Sequence, residues 1–159
     1  LGARRTLRAH SRFALVTRAS ETLAPCQRIC HRDRLSSEPG TVVAASVLYL
    51  FDRSELGGTG FYRPRRPTPE IEALVQDSVR LAPDDFNARY PDIGRGYMRE
   101  GNPWFERTAT VPARFNRLIV YRGDLFHSGD IARPDLLSAD PEQGRLTVNG
   151  FFTCRAALG

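Results

Sequence analysis

The chain has 159 residues, 41% of them hydrophobic and 26% charged, with a formal net charge of +5 and a pI of about 9.6. That balance fits a single soluble domain with a real core over residues 1–159 and excludes a disordered or low-complexity chain. Nothing approaches the roughly 18 consecutive apolar residues of a membrane span, and no charged segment followed by an apolar one reads as a signal peptide, so a cytoplasmic protein is expected.

In chain order, "SRFALVT" (11–17) reads as a strand. "APCQRICHRDRL" (24–35) starts at a Pro with weak alternation and reads as a short strand running into a loop. "TVVAASVLYLF" (41–51) is β-branched and nearly continuous in apolar residues, the pattern of a buried strand. "ELGGTGFYRPR" (55–65) places a Gly-Gly turn before another strand, and the two segments read as a hairpin. The clearest helix is predicted over 68–81, with Thr68 as N-cap, Pro69 in the first turn, Glu70 and Glu72 at the positive end of the dipole, and Ile71, Leu74, Val75 and Val79 on one face.

Residues 82–107 are loop-rich and aromatic; Phe86, Tyr90, Tyr97, Trp104 and Phe105 read either as core or as a substrate lid. "RLIVYR" (117–122) is a strand, "LFHSG" (125–129) follows a Gly-Asp turn, 130–144 is a long loop, and "RLTVNGFFTCRA" (145–156) is a closing strand with strong alternation at its start. About seven short strands and one or two helices predict a mainly β, mostly antiparallel double-sheet architecture of jelly-roll type, with helices packed outside. The chain has no initiator Met, so a processed form or a fragment truncated at its N-terminus is expected.

The positive excess is almost all Arg, concentrated at 4–18 and in "YRPRRP" (62–67). It reads either as attraction to an anionic partner or substrate, to which Arg63, Arg65 and Arg66 point, or as a solvated surface; with no nucleic-acid motif beside it the second is the plainer reading, and no nucleic-acid or membrane partner is expected. Cys26, Cys30 and Cys154 are odd in number and include a C-x3-C spacing, which speaks against a disulfide framework and against a C-x2-C zinc site.

His31-Arg32-Asp33 is the first candidate for chemistry. As a kinase catalytic loop it would need an Asn five residues past the Asp, where Glu38 stands, and partner motifs that the chain lacks. "GGTGFY" (57–62) is neither a dinucleotide-binding nor a P-loop motif. As a metal motif, H-x-D on an extended segment puts two ligands on one face, and a distant His completes the 2-His-1-carboxylate set that suits non-haem Fe(II). Only three His exist: His10 lies in an Arg-rich stretch and is a poor candidate, which leaves His31, Asp33 and His127. Each also reads as an ordinary surface or core residue, and an isolated H-x-D is common by chance. Further on, Arg145 and Thr147 are two apart on a strand and share a face, where a guanidinium fork and a hydroxyl can hold a carboxylate; the plainer reading is an edge-strand Arg.

The order "HRD", "GGTGFYR", "FNRLIVYRGDLFHSG", "GRLTVNGFF" resembles the iron(II)/2-oxoglutarate-dependent oxygenase superfamily, in particular its prolyl-4-hydroxylase-like branch and an uncharacterised bacterial group within it, over roughly residues 24–154. The resemblance implies a double-stranded β-helix and an enzyme that hydroxylates a C–H bond of a small-molecule or peptidyl substrate with release of succinate and CO2. Carried over, His31, Asp33 and His127 are the Fe(II) ligands. Arg145, with Thr147 beside it, holds the far carboxylate of 2-oxoglutarate, Tyr49 contacts that co-substrate, and Arg32 points away from the metal. The sequence departs from the pattern in three respects: relatives often place the Arg about ten residues after the distal His, and here the interval is eighteen, filled by "SGDIARPDLLSADPEQG"; the segment between the Gly-Gly turn and "FNRLIVY" is long; and the upstream helices and strands of the superfamily are partly missing, in keeping with a truncated start. The competing expectations are a non-catalytic cupin-like or sugar-binding β-sandwich module, and an inactive pseudo-oxygenase.

Overall fold

The structure is a computed structural model and describes residues 2–33 and 38–157. Seven strands and two helices follow in order: β1 (Ala3–Val16), β2 (Thr41–Tyr49), β3 (Gly58–Pro64), α1 (Thr68–Arg80), α2 (Pro83–Arg89), β4 (Phe105–Val111), β5 (Leu118–Arg122), β6 (Phe126–Asp130) and β7 (Arg145–Ala156). They build a four-stranded sheet, β1-β7-β2-β5, and a three-stranded sheet, β4-β3-β6, with every pairing antiparallel. The fold is mainly β, as the strand count predicts. Among the described residues no helix is long and apolar enough to cross a membrane.

β2 and β7 are the inner strands of the larger sheet, which accounts for their apolar runs: each is hydrogen-bonded on both edges. β7 starts at Arg145 opposite Val16 of β1, and Thr147 falls between Ala14 and Tyr49. The first eleven residues of β1 are exposed along the sheet edge, so they carry no apolar alternation, and the sequence shows only the last part of this strand.

Three expectations are corrected. Residues 41–65 do not form a hairpin, because β2 and β3 lie in different sheets. A 3-10 turn over Ser54–Leu56 and Gly57, at φ 79°, redirect the chain between them. The expected strand at 24–35 is a 3-10 turn over Pro25–Gln27 in which the Gln27 side chain accepts from the Ala24 N–H at 2.9 Å; only His31 then pairs, in one isolated bridge to His127, and residues 34 and 35 lie outside the described set. In α1 the cap is Pro67, and the buried stripe is Ile71, Leu74 and Ser78, whose hydroxyl returns to Val75 O at 2.7 Å; Val79 is 73% exposed.

The aromatic segment contains the short helix α2, and most of its aromatic residues are core. Phe86, Tyr90 and Phe105 are buried, with Trp104 packed against them, in a cluster that joins Ile71 and Leu74 to Tyr62 and Phe126 of the three-stranded sheet. A second cluster, Tyr49, Phe51, Leu56 and Ala113, receives Leu136 and Leu137 from the long loop.

Candidate metal centre

One cavity of about 360 Å³ is lined from both sheets: by Ala14, Arg145 and Thr147 on one side, and by Thr59, His127 and Gly129 on the other. His31 and Asp33 reach it from the segment before β2, which is fixed at two points. His31 and His127 exchange both backbone hydrogen bonds, at 2.9 and 2.8 Å, and the Asp33 N–H donates to Gly123 O at 2.9 Å. Gly123 allows this approach: a Cβ there would lie 2.7 Å from the Val43 side chain and 3.3 Å from Asp33 Cβ. Arg32 turns away, its guanidinium 4.7 Å from the centre of the Phe126 ring.

The three side chains converge. One ligand atom from each of His31, Asp33 and His127 lies within 4.8 Å of the others. His127 is 6% exposed, and its Nδ1 donates to Leu125 O at 2.9 Å. That bond turns Nε2 toward Asp33, whose Oδ2 lies 3.8 Å away. Asp33 Oδ2 is buried with no hydrogen-bond partner. Burial raises the Asp33 carboxyl above the usual carboxylate range, and the charges of His127 and Arg12 pull it back. His31 keeps a solvent-facing edge, yet desolvation, and then His127 beside it, hold its pKa down at about 4, so it is a neutral donor at neutral pH. Two imidazole nitrogens and a carboxylate oxygen that has no hydrogen-bond partner among the described residues converge here, the ligand types of a cation site.

Arg145 is 6% exposed; its Nε donates to Leu56 O at 3.1 Å, its Nη2 to Gly58 O at 2.7 Å, and its guanidinium lies over Phe51 at 5.7 Å. Desolvation is the main influence on it and lowers its pKa. Among the described residues no carboxylate comes within 4.0 Å of it. It is next to the triad's own strand: a Cβ at Gly129, two residues past His127, would lie 3.7 Å from Arg145 Nη2. The eighteen-residue interval is taken up by a loop with a 3-10 turn at Pro134–Leu136, outside the ladder. Thr147, 2% exposed, lines the same cavity, its hydroxyl 3.0 Å from Asn149 Oδ1.

Tyr49 stands behind the cavity wall instead of in it: fully buried, it shares a 2.7 Å hydrogen bond with Thr59, whose side chain is the one that faces the cavity. Two other tyrosines do face it, Tyr121, which the sequence did not single out, and Tyr97, which it offered as core or lid. Tyr121 packs edge-on to the His127 ring, centroids 4.7 Å apart, and burial, then Asp33, push its hydroxyl pKa up. Tyr97, the one residue of the expected aromatic lid that reaches the cavity, donates to Arg18 O at 2.7 Å. The alternation of Ile119 and Tyr121 was the available signal for the first; nothing local marks the second. His10 lies outside the triad, stacked on Phe151 at 5.0 Å.

The chain matches the Family of unknown function (DUF6445) over residues 1–152 and belongs to it. No curated protein and no solved structure matches it.

Proposed function

We propose that this DUF6445 member is an Fe(II)/2-oxoglutarate-dependent oxygenase of the hydroxylase type on a double-stranded β-helix. The observation that carries the reading is one cavity holding both a converging His-Asp-His set and a buried guanidinium without a carboxylate. Neither feature is stable as it stands: the carboxylate oxygen lacks a donor, and the guanidinium lacks an anion. A cation and a dianionic co-substrate answer both. The strand order supports the fold reading. A jelly roll has eight strands in two sheets, and the His31 bridge to β6 falls on the free edge of β4-β3-β6, where the eighth strand belongs.

His31, Asp33 and His127, with one ligand atom each within 4.8 Å of the others, would hold the Fe(II). Bound there, Fe(II) with 2-oxoglutarate and O₂ would supply the oxidation of a substrate C–H bond to an alcohol, with succinate and CO2 as co-products. The protein's part is placement. The bond from His127 Nδ1 to Leu125 O aims Nε2, and the paired backbone of His31 and His127 sets the two imidazoles side by side. Arg145 receives the far carboxylate, with the Thr147 hydroxyl beside it, while Tyr121 and Thr59 wall the space between. Succinate released from 2-oxoglutarate in air, measured with and without Fe(II), tests the proposal. Iron-dependent succinate supports it; its absence at every iron and co-substrate concentration supports a binding module instead.

A further inference from the structure

Arg12 of β1 is directly opposite Asn149 of β7, four residues along the ladder from the Val16–Arg145 pair. At about 3.3 Å per residue the two arginine positions are about 13 Å apart along the sheet. Arg12, Asn149 and Phe151 all line the cavity that holds His31, Asp33 and His127. Arg12 is positioned by an aromatic surface: its guanidinium lies 5.1 Å over the Phe151 ring. Among the described residues no carboxylate comes within 4.0 Å of it. Asn149 Oδ1 faces the Thr147 hydroxyl, and its amide nitrogen has no hydrogen-bond partner among the described residues. Residues opposed across an antiparallel pair carry their side chains about 5 Å apart on one face, so a guanidinium fork and an amide N–H together present donors to one small anion.

The cavity thus has a cation near each end, with the candidate metal ligands on its wall. Arg145 is buried and suits the co-substrate. Arg12 is exposed and suits what arrives from solvent. We propose that the primary substrate carries a carboxylate, bound by Arg12 and Asn149 at the end of the cavity away from Arg145. The apolar side chains of Ile29 and Phe151, which line the cavity, suit an alkyl or aryl body on that acid. The assignment rests on the oxygenase reading, because it presumes that Arg145 is occupied by 2-oxoglutarate.

The test uses the full chain under nitrogen, saturated with Fe(II) and 2-oxoglutarate, with the iron–co-substrate absorption band recorded in every sample. Butanoate, octanoate and 3-phenylpropanoate, each with its primary amide, are titrated by calorimetry. At least one acid is expected to bind, with its amide about tenfold or more weaker. Arg12→Gln is expected to abolish that preference and Arg12→Lys to keep part of it, both variants melting with the wild type because Arg12 is exposed. Equal binding of acid and amide, no binding of any acid, or an unchanged preference in Arg12→Gln, with the band present, overturns this proposal alone. Absence of the band from the wild type overturns the oxygenase reading and this proposal with it.

Discussion

His31 and His127 exchange both backbone hydrogen bonds, His31 N–H to His127 O at 2.9 Å and His127 N–H to His31 O at 2.8 Å, and their rings sit 4.4 Å apart by centroid. Directly opposed residues of an antiparallel pair share a face. The backbone bridge therefore sets two imidazoles together, and Asp33, two residues on, joins them.

Asp33 is the cheapest of the three to lose for the empty protein. Its buried Oδ2 has no donor, so Asp33→Ala removes an unpaired polar atom instead of a satisfied contact. The melting temperature of metal-free Asp33→Ala is expected to equal or exceed that of the wild type. The rise on adding Fe(II) under nitrogen, present in the wild type, is expected to vanish. Thermal melts of both proteins with and without iron check it.

Arg145→Met leaves an apolar chain in a buried slot and strands the Leu56 and Gly58 carbonyls that the guanidinium caps. A charge-assisted contact to a carboxylate is worth about 2 kcal/mol, about thirtyfold in affinity. Binding of 2-oxoglutarate to the iron-loaded variant, followed by calorimetry, is expected to weaken by at least that factor. The iron affinity measured without 2-oxoglutarate is expected to stay within about threefold.

Gly57 and Gly58 account for the "GGTGFY" stretch without a phosphate. Gly57 has a φ of 79°, and a Cβ there would overlap the carbonyl oxygen of Asp130; a Cβ at Gly58 would overlap that of Val111. Both obstacles are backbone. Gly57→Ala and Gly58→Ala are each expected to destabilise the fold by about 3 kcal/mol or more. Gly94→Ala, which meets nothing within 4 Å, is expected to be neutral or stabilising by less than about 1 kcal/mol. Urea unfolding of the three variants gives the comparison.

All five tyrosines, Tyr49, Tyr62, Tyr90, Tyr97 and Tyr121, have hydroxyl pKa values raised, first of all by burial. Folded-state values above the unfolded one mean that the unfolded chain releases protons first as pH rises. Stability is therefore full below about pH 10 and falls above it. Phenolate absorbance of the native protein at pH 10 is expected to correspond to well under half of the five groups, and to jump when denaturant is added at the same pH.

The parts of the fold that declare themselves locally were legible. β7 spans 145–156 in sequence and structure alike, because its strong alternation coincides with a strand paired on both edges. β2 and α1 announce themselves by a β-branched run and a 3.6-residue stripe. What depends on distant partners was not legible: the split of β2 and β3 between sheets, the exposed start of β1, and the 3-10 turn at Pro25, where buried Ile29 and Cys30 imitate a strand. In the candidate site, the scarcity of His and the two-residue spacing of His31 and Asp33 named three side chains that the fold brings together. Tyr121 escaped because an aromatic residue in sequence reads first as core, and Tyr97 was one of five aromatics that read as core or lid, of which it alone lines the cavity. Tyr49, expected at the co-substrate, is core, one hydrogen bond behind Thr59.

The central claim is that His31, Asp33 and His127 hold iron while Arg145 holds 2-oxoglutarate beside it. Anaerobic addition of Fe(II) and then 2-oxoglutarate, followed by visible absorption, tests it most directly. The wild type is expected to develop a weak charge-transfer band that requires both additions, and His127→Ala is expected to show none. No band in the wild type, or an unchanged band in His127→Ala, contradicts the account.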